Sequence, residues 1–350
     1  MSSPATTGGS SADGRPRRLD TAHGALRLPA FLPDATRGVV RTLAPDDLAA
    51  AGVEALMVNC LHLARTPGTQ TIARVGGLHA FMGWRGPLAA DSGGFQALSM
   101  AGVRVTDRGL SVAGGGSRRL HLTPERTVRR QLQLGVDIAF CLDHCPRPDA
   151  DYAAHRESVR RTVLWSAACR QELARAADSG VAVPLLFAVV QGGPHRDLRA
   201  GCVEELLALG FDGLGFGGWP ISAGRLDDMV CAVAEMTPPE VTLHGLGIGS
   251  LGALREAGDA GYRLFDCVLP TRDARHGRLY GDDGGSVSIR DERFARREEP
   301  AVDGCDCAAC RIYPAAYLHH LFRIGDALGQ RLASIHNLRV YSRAVGAAAG

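Results

Sequence analysis

"PLLFAVVQ" (184–191), "GPHRDLRAGCVEELLALG" (193–210) and "FDGLGFGG" (211–218) succeed one another in the chain, and their reading decides the fold. The first and third are short apolar runs of strand length. The middle stretch carries apolar residues at three- and four-residue spacing, the pattern of an amphipathic helix. A strand that passes through a helix before the next strand builds parallel sheet.

Working outward, the same unit recurs. "PAFLPDAT" (29–36), "ALMVNC" (55–60), "PLAADS" (87–92), "DIAFCLD" (137–143), "VTLHGLGIG" (241–249) and "RLFDCVLP" (263–270) bring the strand-like runs to eight, with helical patterns between them. Eight strands alternating with helices over about 250 residues is the size of a (β/α)8 barrel. No strand runs into a Gly-x-Gly-x-x-Gly helix start, which speaks against a doubly wound nucleotide-binding sheet. Two stretches break the repeat. The Gly-rich segment 101–123 predicts an inserted β-hairpin before a helix opened by Pro124, and residues 282–343 predict an appended C-terminal subdomain. The catalytic barrel is thus expected over 20–281.

The chain has 350 residues, 45% of them hydrophobic, enough for a sizeable core. All 39 basic residues are arginine, and a net charge of +2 excludes a polycation, so any nucleic-acid contact must come from a local patch. Residues 1–19, rich in Ser, Gly, Thr and Pro, read as a disordered tail without the apolar segment of a secretory signal, and 344–350 as a flexible one. No run approaches the roughly 18 to 20 apolar residues of a membrane span. The expected location is cytoplasmic, where ten cysteines stay reduced and clustered ones serve as metal ligands.

Barrel active sites sit at the C-terminal ends of the strands, and those ends hold Asp91, Asp143, Gln191, Gly217, Gly218, Gly247, Gly249 and Asp266. One Asp after a strand is commonly a helix cap or turn residue; capping does not require three at one mouth. Paired carboxylates suit glycosyl chemistry, one attacking an anomeric carbon while another moves a proton. A further carboxylate and an amide can read a guanine-like edge, and Phe95 is placed to stack on a base. An aspartate at 266, inside an apolar run, is costly unless something holds it.

Cys305, Cys307 and Cys310 lie within "CDCAAC", with His319, His320 and His336 downstream. Three thiolates and an imidazole make a closed four-coordinate site, the form of a structural zinc; by chemistry alone any of the three histidines can complete it. Arg272, Arg275 and Arg278 follow the eighth strand, with Arg290, Arg293, Arg296 and Arg297 beyond. They fit either phosphate contacts that position a nucleic acid or a solvated face balanced by neighbouring acids.

With "DSGGFQ" (91–96), "LTPE" (122–125), "LDHC" (142–145), "VVQGG" (189–193), "FDCVLPTRDAR" (265–275), "CDCAAC" (305–310) and "AYLHHLFRIGDALGQRLASIHNL" (316–338), the chain resembles the tRNA-guanine transglycosylase family from about residue 20 to 341. The resemblance implies a zinc-containing barrel that exchanges a guanine in the tRNA anticodon loop for a 7-deazaguanine through a covalent ribosyl-enzyme intermediate. It implies Asp266 as nucleophile and Asp91 as general acid/base. Asp143, Gln191, Gly218, Ser92 and Leu246 are the implied base contacts, with Phe95 stacking. Arg272 and Arg275 are implied to hold anticodon-loop nucleotides and His336 to complete one structural zinc per chain; barrels of this kind often dimerise, so a homodimer is among the expected partners. The target base must be flipped out to enter.

The chain departs from that pattern at Trp219–Ala223, which replace a Leu-Ala-Val-Gly-Glu, at His144, where an acid is usual, and at "VNCLHL" (58–63). Pro220 removes a backbone donor from the segment that reads the 7-substituent. Besides exchange in tRNA, two readings stand: a paralogue acting on guanine in DNA or a free nucleoside, and a non-catalytic RNA-binding partner subunit, whose signature is loss of the nucleophile.

Overall fold

The computed structural model describes residues 14–113 and 119–347. The eight apolar runs are eight strands: β1 (Ala30–Pro33), β2 (Leu56–Asn59), β3 (Leu88–Asp91), β4 (Ile138–Phe140), β5 (Leu185–Val190), β6 (Gly213–Phe216), β7 (Thr242–Leu246) and β8 (Leu264–Cys267). From β2 to β8 each strand pairs in parallel with the next, and β8 returns to β1. Between β1 and β2 the ring closes through a parallel bridge from Asp34 to Met57, with Ala35 N donating to Met57 O at 2.7 Å. The sheet is a (β/α)8 barrel.

Side chains fill the barrel. Ile138, Phe140, Phe187, Val189, Met57, Leu32 and Leu264 form one buried cluster inside the ring, Phe140 meeting Phe187 edge-on at 5.5 Å. Full burial of each large side chain stabilises by roughly 1.5 to 3 kcal/mol, and Phe187→Ala would cost about 3 to 5 kcal/mol through the cavity it leaves. The same cluster takes in Leu19, Leu26 and Leu28. They come from an antiparallel pair, Arg18–Thr21 with Gly24–Arg27, that plugs the N-terminal end of the barrel. Arg18 and Leu19, at the end of the expected tail, thus belong to this pair, because burying Leu19 and Leu26 outweighs a polar local composition. Residues 1–13 of the expected tail lie outside the described residues.

Helices start where short polar side chains can accept from free backbone N–H groups. Thr123 caps Pro124–Leu134, Asp151 caps Tyr152–Asp178 and Ser250 caps Leu251–Ala260. The insertion after β3 holds the expected hairpin and one strand more: Arg104–Thr106, Gly109–Ala113 and Arg119–Leu122 make a three-stranded antiparallel sheet. Trp165 ties it to the long helix by donating from Nε1 to Asp107 O at 2.8 Å.

The expected C-terminal boundary at 281/282 falls inside an antiparallel strand pair, Arg278–Tyr280 with Ser286–Ser288. Moreover, the helix Ala327–Ala347 packs on β1, on Pro45–Ala50, on Leu251–Ala260 and on Leu269–Arg275, the place of the barrel's eighth helix. Asn337 fastens it by donating to Pro270 O and Arg278 O and accepting from Tyr280 N. The cysteine-bearing segment is thus inserted between β8 and the closing helix. Residues 344–347, expected as tail, continue that helix, and 348–350 lie outside the described residues. Among the described residues no helix is long and apolar enough to cross a membrane.

Candidate active site and metal centre

Parallel register delivers the strand-end residues to one mouth. Asp91 lies opposite Asn59 across β2 and β3, and Asp266 opposite Leu246 across β7 and β8. A cavity of about 420 Å³ opens there, and Asp91, Phe95, Asp143, Gly218, Leu246 and Asp266 all line it. Ser92 is buried just behind, its Oγ accepting from Gly94 N at 3.2 Å.

Each carboxylate is held differently. Asp91 Oδ2 accepts from Asn59 Nδ2 at 2.9 Å and its Oδ1 from Gly93 N at 3.1 Å. Desolvation in the cavity, with the nearby charge of Asp266, holds its carboxyl above the usual carboxylate range. Asp143 is pushed up further, to about 7, by burial, against which the bond from Gln191 Nε2 to its Oδ2 at 2.7 Å works. Asp266 Oδ1 accepts from Gly247 N at 3.3 Å and lies 3.0 Å from His244 Nε2. His244 Nδ1 is buried with no partner among the described residues. The tautomer that donates from Nε2 to the carboxylate accounts for the contact. These two donors are what hold an aspartate inside an apolar strand.

Gln191 reaches the mouth through Asp143 and itself lines an adjoining cavity. Gly217 permits this: a Cβ there would lie 2.5 Å from Gln191 Nε2, so only bare backbone passes. Arg272 and Arg275 stand on Leu269–Arg275, directly after β8 and outside the cavity lining. Arg272 is exposed beside Asp273 at 3.3 Å; Arg275 is half-buried, its pKa lowered by burial. Farther out, Arg297 pairs with Asp303 at 2.5 Å, Arg293 with Asp291 at 3.7 Å. Both of these outer arginines thus have a neighbouring acid.

Sequence reasoning did not single out Asn59, His244 or Asp34 as site residues, and it marked Trp219 only as a departure from the family pattern. Asn59 and His244 hold the carboxylates. Asp34 lines the cavity with a pKa raised by burial, and Trp219 meets Phe95 edge-on at 5.2 Å. Asn59 and Asp34 did leave a signal, since both end strand-like runs. His144, noted as a departure, faces Trp165 at 6.0 Å and lines neither cavity; burial lowers its pKa to about 4.

Cys305, Cys307, Cys310 and His336 bring one ligand atom each to within 4.8 Å of one another, a buried group that could hold a metal ion. Cys310 Sγ lies 3.3 Å and Cys307 Sγ 3.7 Å from His336 Nδ1. His336 Nε2 lies 2.8 Å from Tyr280 O, which leaves Nδ1 as the lone-pair nitrogen facing the thiols. Of the other two histidines, His319 bonds Ile289 O at 2.8 Å, and neither belongs to the group.

Residues 10–348 match the family model described as Queuine tRNA-ribosyltransferase. The chain is similar to curated proteins named queuine tRNA-ribosyltransferase. It is 38% identical to that of Solidesulfovibrio magneticus over 342 residues, 96% of this chain and 90% of that protein. It is 39% identical to that of Oleidesulfovibrio alaskensis over 336 residues, 94% and 88% respectively. Against that of Syntrophobacter fumaroxidans it is 38% identical over 331 residues, 93% and 86%. With its barrel, strand-end carboxylates and Cys3His cluster covered from end to end, the chain belongs to the queuine tRNA-ribosyltransferase family.

Proposed function

We propose that this protein is a tRNA-guanine transglycosylase, a pentosyltransferase that exchanges guanine in the tRNA anticodon loop for a 7-deazaguanine. The observation that carries the reading is the presence of Asp91, Asp143 and Asp266 around one cavity with separate supports. In the first step the Asp266 carboxylate attacks C1′ of the ribose, the C1′–N9 bond breaks with its electron pair leaving on guanine, and Asp91 supplies the proton that makes guanine neutral. In the second, the incoming base gives its N9 proton to Asp91 and attacks C1′, releasing Asp266. A carboxyl held above its usual range, as at Asp91, suits the donor in step one.

Asp143, Gln191, Ser92, Leu246 and the Gly218 backbone are the proposed readers of the base, with Phe95 stacking. Arg272 and Arg275, beside the mouth rather than in it, are proposed to position the polynucleotide through phosphates. The inserted segment is proposed to bind one structural zinc: three thiolates and an imidazole oriented by a backbone carbonyl suit that ion and leave no open position. When bound, it would brace the segment between β8 and the closing helix. We propose a cytoplasmic enzyme and a homodimer as its working form.

The deciding experiment supplies labelled guanine to the purified protein with unmodified tRNA, double-stranded DNA and guanosine in parallel. Label in tRNA alone is expected. Label in DNA or guanosine but not in tRNA would overturn the acceptor while keeping the chemistry, and label in none would overturn the enzyme.

A further inference from the structure

Asp143, Gln191 and Gly218, proposed to read the base, follow β4, β5 and β6. The remaining arc of the mouth runs from Asp266 on β8 through β1 and β2 to Asp91 on β3. Because it holds the proposed nucleophile, this arc is the side that meets the sugar.

Asp34 is the informative residue of the arc. It stands just past β1 and lines the cavity together with Asp266. Leu32 and Asp266 lie opposite each other across β1 and β8. Side chains so paired share a face of the sheet, here the barrel interior in which Leu32 is buried. Two residues on, Asp34 returns to that face, roughly 7 Å nearer the mouth by the rise of a strand. Its parallel bridge to Met57 carries the strand pairing that far.

The hydrogen bonds of the arc leave one acceptor open. Both oxygens of Asp91 are engaged, by Asn59 Nδ2 and Gly93 N, and the Asn59 oxygen accepts from His62 N. Asp34 Oδ1 accepts from Thr36 N at 3.2 Å and from the Thr36 hydroxyl. Asp34 Oδ2 has no partner among the described residues, the one carboxylate oxygen of the arc, outside the nucleophile, in that position. Burial holds the Asp34 carboxyl above the usual carboxylate range; the charge of Asp266 adds to this, while the Thr36 bonds and Arg275 oppose it. Asp34 thus stands within reach of the fields of both Asp266 and Arg275. A nucleotide with C1′ at Asp266 and a phosphate toward Arg275 carries its sugar past Asp34.

We propose that Asp34 accepts a hydrogen bond from the 2′-hydroxyl of the nucleotide whose base is exchanged, and so selects a ribonucleotide over a deoxyribonucleotide. The inference rests on the transglycosylase reading and names the sugar of the acceptor within it. Inside a polynucleotide the 3′ and 5′ oxygens are esterified, so the 2′-hydroxyl is the only hydroxyl donor the sugar has, and it is what tells RNA from DNA. It sits on the carbon next to C1′, where hydrogen bonds strengthen as the glycosidic bond breaks. A deoxyribose leaves Asp34 Oδ2 covered and unpaired, which is how a site built to hydrogen-bond a hydroxyl rejects the analogue that lacks it.

The test measures kcat/KM for exchange of labelled guanine by the whole protein on two anticodon stem-loop RNAs. They differ only in carrying guanosine or 2′-deoxyguanosine at the exchanged position. Removing the hydroxyl also changes the intrinsic lability of the glycosidic bond, so the quantity compared between proteins is the ribo-to-deoxy ratio, in which that effect cancels. In Asp34→Ala the ratio should fall about tenfold or more below that of the wild type, the size of one hydrogen bond to a charged group. Asp34→Asn, of the same shape and still an acceptor, should lie between, and it decides the matter if the alanine variant does not fold. A purely structural role for Asp34 would lower both substrates alike and leave the ratio where it was. Variants that use the deoxy substrate no better, relative to the ribo substrate, than the wild type does overturn this inference alone. Absence of guanine exchange by the wild type overturns the transglycosylase reading and this inference with it.

Discussion

Gln191 donates from Nε2 to Asp143 Oδ2 at 2.7 Å, so the two groups proposed to read the base are joined to each other. The bond does not offset the burial of Asp143, whose carboxyl stands at about 7 against an ordinary 3.8.

The sign of its effect on stability follows. Between about pH 4 and pH 7 the folded chain keeps a proton that the unfolded chain has released, so the Asp143 contribution is present at low pH and is lost as pH rises through 7. Thermal unfolding of the protein and of Asp143→Asn at pH 5 and pH 8 should show the wild type losing about 3 °C or more relative to the variant. A pH-independent difference refutes the assignment.

Asp266→Asn keeps the shape of the side chain and removes the attacking charge. Guanine exchange should fall by about 10⁴-fold or more, with no covalent RNA adduct on a denaturing gel and an unchanged circular dichroism spectrum. Normal turnover would remove Asp266 from the nucleophile role.

Asn59 does two things: its Oδ1 accepts from His62 N at 3.1 Å, capping Cys60–Arg65, and its Nδ2 donates to Asp91. Asn59→Asp keeps the cap acceptor and puts a second carboxylate beside Asp91, while Asn59→Ala loses both. The aspartate variant should lose about tenfold or more in kcat with its acidic limb shifted to higher pH. The alanine variant should also lose about 1 kcal/mol of stability in urea unfolding. Wild-type kcat in Asn59→Asp would separate Asn59 from the chemistry.

Cys307→Ser should lower bound zinc by elemental analysis and lower the unfolding temperature, since ligand binding to the folded state alone is folding free energy. A full equivalent of zinc in that variant would contradict the metal assignment.

Much of the fold was legible because its signals are local. Every barrel strand was marked by a short apolar run, and Pro124 opened its helix as expected. The boundaries were not. Leu19 and Leu26 sit in a polar neighbourhood yet plug the barrel, and Ala327–Ala347 follows the cysteines in sequence yet packs as the closing helix. In both, partners far along the chain decide.

By itself the sequence determined the eight-strand alternation, the strand-end carboxylates and the Cys3His ligand types, since periodicity and side-chain chemistry are properties of the residues themselves. Only the tertiary structure decided which groups hold those carboxylates, that His319 and His320 stand apart from the cysteines, and that His155 and Arg199 border a cavity next to the base site. Burial and hydrogen-bond pairing between residues such as Asn59 and Asp91, or His155 and Gly193, depend on how the closed barrel brings distant segments together, and no local pattern encodes them.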